Sequence, residues 1–193
     1  IDKFLDKSET DLIYTPRTAR NTIVDNIMAD LQFAAENIRT KANTEANTVN
    51  RDVANALLSR VALYEGSIAK YHNNDATRAN ALFTIARNAA AAVMSQGYRL
   101  SANYKDIYSS ISLASNTEAI LYKYYVKGTF MHSLTAYLNS TTPISGATKD
   151  LVEAYLCKDG KAIGASTQYQ GDADINKILA NRDTRLADAI GNV

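Results

Sequence analysis

The stretch that decides the fold is "NRDVANALLSRVALYEGSIAKY", residues 50–71, which has the apolar spacing of one long helix. Asn50 belongs to the residue types that cap the first turn of a helix with a side-chain oxygen. Apolar side chains then recur at steps of three and four residues, at Val53, Leu57, Val61, Tyr64 and Ile68. Small residues beside them would let a neighbouring helix approach closely, namely Ala54, Ala56 and Ala62. The stretch predicts a helix over residues 50–70 whose small apolar side packs within its own protein.

Two further helices are predicted on either side of this one. Residues 20–38 carry an apolar stripe made of Ile23, Ile27, Met28, Leu31, Ala34, Ala35 and Ile38. Residues 76–96 carry a second stripe, made of Leu82, Ile85, Ala86, Ala89, Val93 and Met94, and Gly97 follows as a left-handed cap. The short polar stretch "HNNDAT" makes the last two helices an antiparallel pair. We expect Leu57, Val61, Leu82, Ala86 and Val93 to be buried where that pair meets.

The helix pair has half of a known repeat pattern. Ala79, Phe83 and Ala86 reproduce the spacing of the second helix of a tetratricopeptide unit. The preceding helix lacks the usual tryptophan and glycine, and no proline closes the unit. The predicted fold class is therefore mainly α, with degenerate tetratricopeptide-like helix pairs of the kind that stack into a superhelix.

The character of the chain changes after Gly97. Residues 98–146 have weak helical periodicity, many hydroxyls and several turn signals, which indicates a loop-rich region. Within it "AILYKYYV", residues 119–126, is the one strand candidate, and it predicts a short strand pairing. A short helix ending at Gly160 and a turn or helix start at "NRDTRLADAI" complete the prediction. We interpret residues 1–193 as a single segment, with a helical scaffold over 1–97 and a loop-rich part over 98–193.

Composition and charge exclude several classes of protein. Hydrophobic residues make up 46% of the 193 residues and charged residues 21%, which is typical of a folded globular chain. The formal charge is only +1 and the basic residues are scattered, so nucleic acid is not an expected partner. No apolar run approaches the roughly 20 residues that a membrane-spanning helix needs. The opening "IDKFLDKSETDLIYTPR" is interpreted as the interior of a longer chain, and the single cysteine, Cys157, as a buried apolar thiol.

An ordered succession of blocks resembles a known family. The blocks are "RTARNTIVDNIMADLQFAAENI", "VNRDVANALLSRVALYEGSIAKY", "GYRLSANYKDIYSS", "TEAILYKYY", "KDLVEAYLCKDG" and "NRDTRLADAI". In content and order they resemble the middle of a SusD/RagB-family protein, over nearly the whole chain. One departure is Thr184, where the family usually has proline in the R-D-P-R-L block.

The resemblance implies a Bacteroidetes cell-surface protein that binds glycans or other nutrients. It implies a mostly helical fold with tetratricopeptide-like scaffold helices and a loop-rich remainder that carries the ligand site. It also implies a SusC-like, TonB-dependent outer-membrane transporter as the partner. Localisation would be at the outer membrane, exposed on the surface, through a lipid on a cysteine outside these residues. Cys157, expected within a helix, is not that anchor.

Residue patterns that could carry catalysis have simpler structural interpretations. Ser67 and Lys70 match the S-x-x-K pattern of penicillin-recognising enzymes, but the companion S-D-N and K-T-G elements are absent from the sequence. The two histidines, His72 and His132, lack any spacing that converges on zinc. No enzyme activity, cofactor or metal is therefore expected.

Two groups of charged residues near the end of the chain also have structural interpretations. Asp172 and Asp174 lack the later glycine and glutamate of a calcium loop and are interpreted as a solvated turn before a helix. Arg182, Asp183 and Arg185 could clamp an anion, and we assign them to a structural network instead.

Aromatic placement is the feature that indicates binding. Seven of the twelve tyrosines fall within residues 98–137, and tyrosine offers a sugar both a flat face and a polar tip. Tyr98, Tyr104 and Tyr108 are expected to dock the loop onto the helices, and alternate tyrosines of the predicted strand to enter the core. The remaining segment "GTFMHSLTAYLNS" supplies the candidate ligand-binding residues, which are Phe130, His132, Tyr137 and Asn139.

An alternative function remains open for the same fold. A tetratricopeptide-like scaffold that binds proteins, without any small-molecule ligand, would show a concave groove lined by asparagines and basic residues. A nutrient binder would instead show a shallow aromatic site on irregular loops.

Overall fold

The computed structural model describes residues 6–126, 128–131, 133–134 and 146–190. The chain divides into two compact units, unit 1 over residues 1–99 and unit 2 over residues 100–193. Both are built from helices joined by irregular segments, so the predicted mainly α class is confirmed. The prediction that residues 1–193 form a single segment, changing character at Gly97, stays a prediction.

Unit 1 contains the three long helices that the apolar spacing predicted. Its helices are α1 (Thr10–Ile13), α2 (Arg20–Asn37), α3 (Arg51–Tyr71) and α4 (Ala76–Met94), with a 3-10 turn at Lys41–Asn43. The bounds of the long helices lie within two residues of the predicted ones. Asn50 caps α3 as expected, because its side-chain oxygen accepts hydrogen bonds from the backbone N–H groups of Asp52 and Val53.

Helices α3 and α4 run antiparallel and lie in close contact. The hydroxyl of Ser59 donates a hydrogen bond of 2.9 Å to the carbonyl oxygen of Ala86, directly across the interface. A Cβ atom on Gly66 would lie only 2.7 Å from the ring of Phe83. Three alanines of the pair are almost fully buried, namely Ala62, Ala69 and Ala79. Small side chains at these positions therefore permit the close approach.

The buried face of α3 differs by one residue from the predicted face. Leu57 is 48% exposed, which makes its predicted burial wrong, whereas the adjacent Leu58 is 5% exposed. The buried residues of α3 are Asp52, Ala54, Leu58, Ala62, Gly66 and Ala69. A shift of one residue turns a helix by about 100°, since 3.6 residues complete a turn. The buried face is the one that carries Ala54, Ala62 and Gly66, because α4 lies close to α3, and Leu58 on the same face fills the core.

The other predicted contacts are confirmed in part. Leu82, Ala86 and Val93 are buried, and Val61 is partly buried against the core. Met94 is 76% exposed and not inward, because it occupies the last turn of α4. In α2 the buried residues are Val24 and Met28, while Ile23 and Ile27 are exposed.

One hydrophobic core joins α2, α3 and α4. Its buried members are Val24, Met28, Leu58, Ala62, Leu82, Ala86 and Ala89. Two ion pairs lie outside this core, Arg20 with Glu65 at 2.6 Å and Arg78 with Asp25 at 2.7 Å. Each links α2 to one helix of the antiparallel pair, so α2 is held against both.

Unit 2 combines short helices with irregular chain. They are α5 (Tyr104–Ser109), α6 (Lys149–Ala154), α7 (Ile175–Leu179) and α8 (Thr184–Ile190). Helix α5 packs on α8, where Leu186 is 1% exposed, and the helix start predicted at residues 181–190 is confirmed.

Helix α6 ends at Ala154, six residues before the Gly160 that the sequence indicated. Tyr155 has extended backbone angles, and Cys157 forms an antiparallel bridge with Arg182. Cys157 thus lies outside the helix, and its predicted burial is confirmed. The guanidinium of Arg182 donates hydrogen bonds of 2.7 Å to the carbonyl oxygens of Val152 and Tyr155, which satisfies groups that a continuing helix would have used.

The strand predicted over residues 119–126 is reduced to one bridge. Within the described residues, Val126 pairs with Phe130 and no ladder includes residues 119–125. The side chain of Asn116 accepts hydrogen bonds from the N–H groups of Glu118 and Ala119, which bends the chain at the start of the predicted strand. Alternating residues need a partner strand to become a sheet, and the described part of unit 2 supplies only this turn.

Candidate functional site

A tight turn in unit 2 holds Phe130, the one candidate ligand residue that lies within the described structure. Val126 and Phe130 exchange two backbone hydrogen bonds of 2.8 Å, and the N–H of Thr129 donates to the same Val126 carbonyl. Gly128 has φ of +80°, a left-handed value that glycine adopts without steric cost. The turn therefore brings residues on its two sides next to each other.

Two rings stack beside this turn, and an ammonium group lies over both. The ring centroids of Tyr125 and Phe130 are 5.8 Å apart and their planes differ by 17°. Nζ of Lys123 lies 5.4 Å from the Tyr125 centroid and 5.1 Å from the Phe130 centroid. We call Lys123, Tyr125 and Phe130 the aromatic platform. Tyr125 is 41% exposed and Phe130 is 49% exposed, so the stacked pair reaches solvent.

The platform has the chemistry of a surface that accepts a sugar ring. The face of an aromatic ring carries partial negative charge, which attracts both C–H groups and cations. The contact with the rings positions the Lys123 ammonium beside the same surface, where its N–H groups can donate to a hydroxyl. Further exposed apolar side chains flank the platform, namely Tyr124, Val126 and Met131.

Only one of the four candidate ligand residues lies in the described structure. Phe130 belongs to the aromatic platform, whereas His132, Tyr137 and Asn139 lie outside the described residues. The interpretation of the sequence missed Lys123 and Tyr125, because it assigned the tyrosines of residues 119–126 to alternate faces of a strand. Tyr124 and Tyr125 are both exposed. The run of aromatic residues around Lys123 was the available signal.

The other tyrosines of the loop-rich region have contacts of a different kind. Tyr98 docks onto α3 as expected, since its hydroxyl donates to Asp52. Tyr104 and Tyr108 instead form a ring pair with centroids 5.0 Å apart on α5. The mutual hydrogen bond of these hydroxyls raises the pKa of Tyr104.

The residues that match the S-x-x-K pattern make ordinary helix contacts. The hydroxyl of Ser67 donates a hydrogen bond of 2.9 Å to the carbonyl oxygen of Leu63, one turn earlier in α3. Nζ of Lys70 lies 5.0 Å from the ring centroid of the neighbouring Tyr71. These contacts occupy the two side chains at the surface of α3.

The charged residues near the carboxyl end act within the structure of unit 2. Asp174 caps α7 by accepting from the N–H of Lys177, and Asp172 pairs with Lys149 at 3.1 Å. Asp183 pairs with Arg185, whose guanidinium lowers the pKa of the Asp183 carboxyl. The described residues contain no group of three or more histidine, cysteine or acidic side chains placed to hold a metal ion.

A groove in unit 1 has part of the geometry expected for the alternative function. It encloses about 300 Å³ beside α2, α3 and α4, with Leu58 and Ala89 in its apolar lining. Three side-chain amides line it, those of Gln32, Asn55 and Asn88, together with the carboxylate of Glu36. The asparagines of a peptide-binding groove are present, and the basic residues are not in this lining.

Comparison with known proteins gives no match, since no family model, curated protein or solved structure is significantly similar to the chain. Among the described residues, no helix combines the length and the apolar character needed to cross a membrane.

Proposed function

We propose that this chain binds a glycan on the aromatic platform and serves a nutrient-uptake system of the SusD/RagB kind. The observation that carries the proposal is the solvent-exposed stack of Tyr125 on Phe130 with the Lys123 ammonium over both rings. The stack lies on irregular chain, as expected for a nutrient binder and not for a scaffold helix. The choice of this family is supported by the resemblance of the ordered sequence blocks quoted above.

The proposed division of labour follows from the two units. The helices of unit 1 form a tetratricopeptide-like scaffold, which stacks into a superhelix with helices beyond those described. Unit 2 contributes the ligand site, to which His132, Tyr137 and Asn139 are added as candidates. The protein binds its ligand without turning it over and passes it to a SusC-like, TonB-dependent transporter. A lipid on a cysteine outside these residues holds it at the surface of the outer membrane.

The strength of the site depends on several rings acting together. A stacked aromatic ring contributes on the order of 0.5–1.5 kcal/mol beyond the area that it buries. Removing one ring should therefore weaken binding by about twofold to twelvefold, given that tenfold corresponds to about 1.4 kcal/mol.

The test is calorimetric titration of the protein with a panel of neutral oligosaccharides, before and after Phe130→Ala and Tyr125→Ala. Tyr71→Ala is the matched control, because Tyr71 is also an exposed ring, 69% exposed at the end of α3, but lies far along the chain in unit 1. We expect both platform variants to bind the glycan more weakly than the parent and the control to bind it with the affinity of the parent. Full affinity in both platform variants, for a glycan that the parent binds, would contradict the proposal.

The transporter role needs a separate measurement. Co-purification of the lipidated protein with a SusC-like transporter, in detergent and with the unlipidated protein as control, would support delivery. If the protein binds glycans but is found in the soluble fraction of the native host, the result would support glycan binding and contradict the delivery role.

A second candidate function is favoured by the groove of unit 1. Amide side chains can both donate to and accept from a peptide backbone, so Asn55 and Asn88 could hold an extended segment of a partner protein. Glu36 in the lining favours a segment with a basic residue. Binding of a lysine-containing peptide that Asn88→Ala weakens, with no binding of any glycan by the parent, would establish this function instead.

A further inference from the structure

A second cavity in unit 2 has no role in the function proposed above. It encloses about 410 Å³ beside α6 and α7, a volume within the range of small-molecule sites. Its apolar lining includes Val152 and Ile178, and the aromatic ring of Tyr169 also lines it. Its charged lining consists of Lys149, Glu153, Asp172 and Arg182. We call it the α6 cavity.

Three of the charged side chains compensate one another. Nζ of Lys149 lies 3.1 Å from Oδ2 of Asp172 and 3.5 Å from Oε1 of Glu153. The pairing raises the pKa of Lys149 and lowers the pKa of Asp172, so both groups are ionised at neutral pH. An ammonium has three donors and a carboxylate has two oxygens. Hydrogen-bond donors on Lys149 and acceptors on the two carboxylates therefore remain available to a ligand.

The fourth charged side chain forms a buried part of the wall. Arg182 is 2% exposed, and its guanidinium carbon lies 5.6 Å from the ring centroid of Tyr169. Its Nη2 atom donates to two backbone carbonyls, and its Nη1 atom lies 3.4 Å from the carbonyl oxygen of Ile178. Its Nε–H finds no acceptor within the described part of the chain. A buried donor without a partner is rare in folded proteins, so this wall of the cavity is where the described residues leave one hydrogen bond unmade.

The lining selects a particular class of ligand. An anion would face the two carboxylates, and a cation would face the ammonium and the guanidinium. A purely apolar molecule would use none of the hydrogen-bonding groups that Lys149, Glu153 and Asp172 present at the edge of the cavity. An uncharged molecule with several hydroxyls meets all of these groups, since a hydroxyl both donates and accepts.

We infer that the α6 cavity binds one uncharged sugar ring, with its C–H face on Tyr169 and its hydroxyls on Lys149, Glu153 and Asp172. The class of ligand rests on the proposed function, but the site is separate from the aromatic platform and shares no residue with it. It gives the protein a monosaccharide-sized site in addition to the exposed platform.

The experiment titrates the protein with glucose, galactose and N-acetylglucosamine at millimolar concentrations, followed by the amide NMR signals of residues 147–182. Lys149→Met and Asp172→Asn remove exposed charges, so both variants keep the fold, which the thermal midpoint checks. Each should lower the association constant by about tenfold, the scale of one lost hydrogen bond to a charged group. Lys161→Met is the matched control, a lysine of unit 2 outside the cavity lining, and should change the constant by less than about twofold.

Different outcomes separate this inference from the proposed function. Sugar binding that survives both cavity variants and is lost in Phe130→Ala would overturn the inference and leave the platform intact. If oligosaccharides bind but no monosaccharide does, the inference is also overturned and the proposed platform function stands. Monosaccharide binding that only the cavity variants weaken, with no oligosaccharide binding at the platform, would establish the cavity and remove the proposed platform function. A free amino acid such as phenylalanine that binds in the cavity, where the sugars do not, would also overturn the inference.

Discussion

The hydroxyl of Tyr98 donates a hydrogen bond of 3.1 Å to Oδ2 of Asp52 and so ties the last residues of unit 1 to the first turn of α3. Asp52 is 4% exposed, and Nζ of Lys41 lies 4.1 Å from the centroid of the Tyr98 ring. Burial, followed by the hydrogen bond to Asp52, raises the pKa of Tyr98 to about 12. A buried carboxylate thus obtains a partner from a residue 46 positions away in the sequence.

Removal of the Tyr98 hydroxyl should destabilise unit 1. Tyr98→Phe leaves the buried Asp52 carboxylate without this donor, and an unsatisfied buried polar group costs about 1–3 kcal/mol. Urea denaturation followed by circular dichroism measures the change. Tyr71→Phe is the control, because Tyr71 is 69% exposed and its substitution leaves no buried carboxylate without a donor. Equal stabilities of Tyr98→Phe and the parent would show that the hydrogen bond contributes nothing.

The same contact predicts a loss of stability at alkaline pH. The pKa of Tyr98 is about 12 in the folded protein and about 10 in the unfolded chain, so folding favours the protonated hydroxyl. The stabilisation is complete below pH 10 and is lost as the pH rises from about 10 to about 12, because only the unfolded state releases the proton in that range. Denaturation midpoints measured between pH 9 and about 11.5 should fall more steeply for the parent than for Tyr98→Phe. Parallel curves would exclude this linkage.

Two adjacent leucines of α3 should respond very differently to truncation. Leu58 is 5% exposed within the core, whereas Leu57 is 48% exposed. Leu58→Ala should lower the free energy of unfolding by about 2–5 kcal/mol, as truncations in packed cores do. Leu57→Ala should cost less than about 1 kcal/mol, because little buried surface is lost. A larger loss of stability in Leu57→Ala than in Leu58→Ala, by thermal or urea unfolding, would show that the face predicted from the sequence is the buried one.

The glycine in the middle of α3 tests the close approach of α4. Gly66→Ala gains about 1 kcal/mol of helix propensity but places a methyl group 2.7 Å from the Phe83 ring, and overpacking costs about 1–3 kcal/mol. We expect a net loss of stability in the parent. In a Phe83→Ala background the nearest remaining atom is Cβ of Leu82 at 3.3 Å, which a small shift accommodates, so the same Gly66→Ala change should stabilise the protein. A double-mutant cycle measures the change of sign, and additive effects would mean that the two residues do not interact.

The long helices of unit 1 were predictable because their signals are local. The apolar spacing of residues 20–38, 50–70 and 76–96 indicated helices whose observed bounds differ by at most two residues. Asn50 and Gly97 also took the conformations that their chemistry favours, the first as a side-chain cap and the second with φ of +82°. Such features depend on residues within a turn or two of one another, which a sequence displays directly.

The orientation of α3 was not predictable from the same spacing. Ala54, Leu58 and Ala62 form as regular a stripe as Leu57, Val61 and Tyr64, and the larger side chains indicated the wrong one. The distance between α3 and α4 decides between the two stripes, and that distance is a property of the packed pair. The same holds for residues 119–126, whose strand-like composition forms no ladder within the described residues.

The spacing of residues in the sequence by itself determined that this chain folds through helices and becomes loop-rich after Gly97, since helix periodicity and local turn chemistry depend on neighbouring residues. Tertiary structure alone decided which side chains meet. It stacked Phe130 on Tyr125 under Lys123 through one tight turn, and it brought Lys149 against Asp172 across 23 positions of the sequence. Contacts of that kind depend on the path of the backbone between the residues. Spacing in the sequence carries no measure of that path, so the sites could be located only in the folded chain.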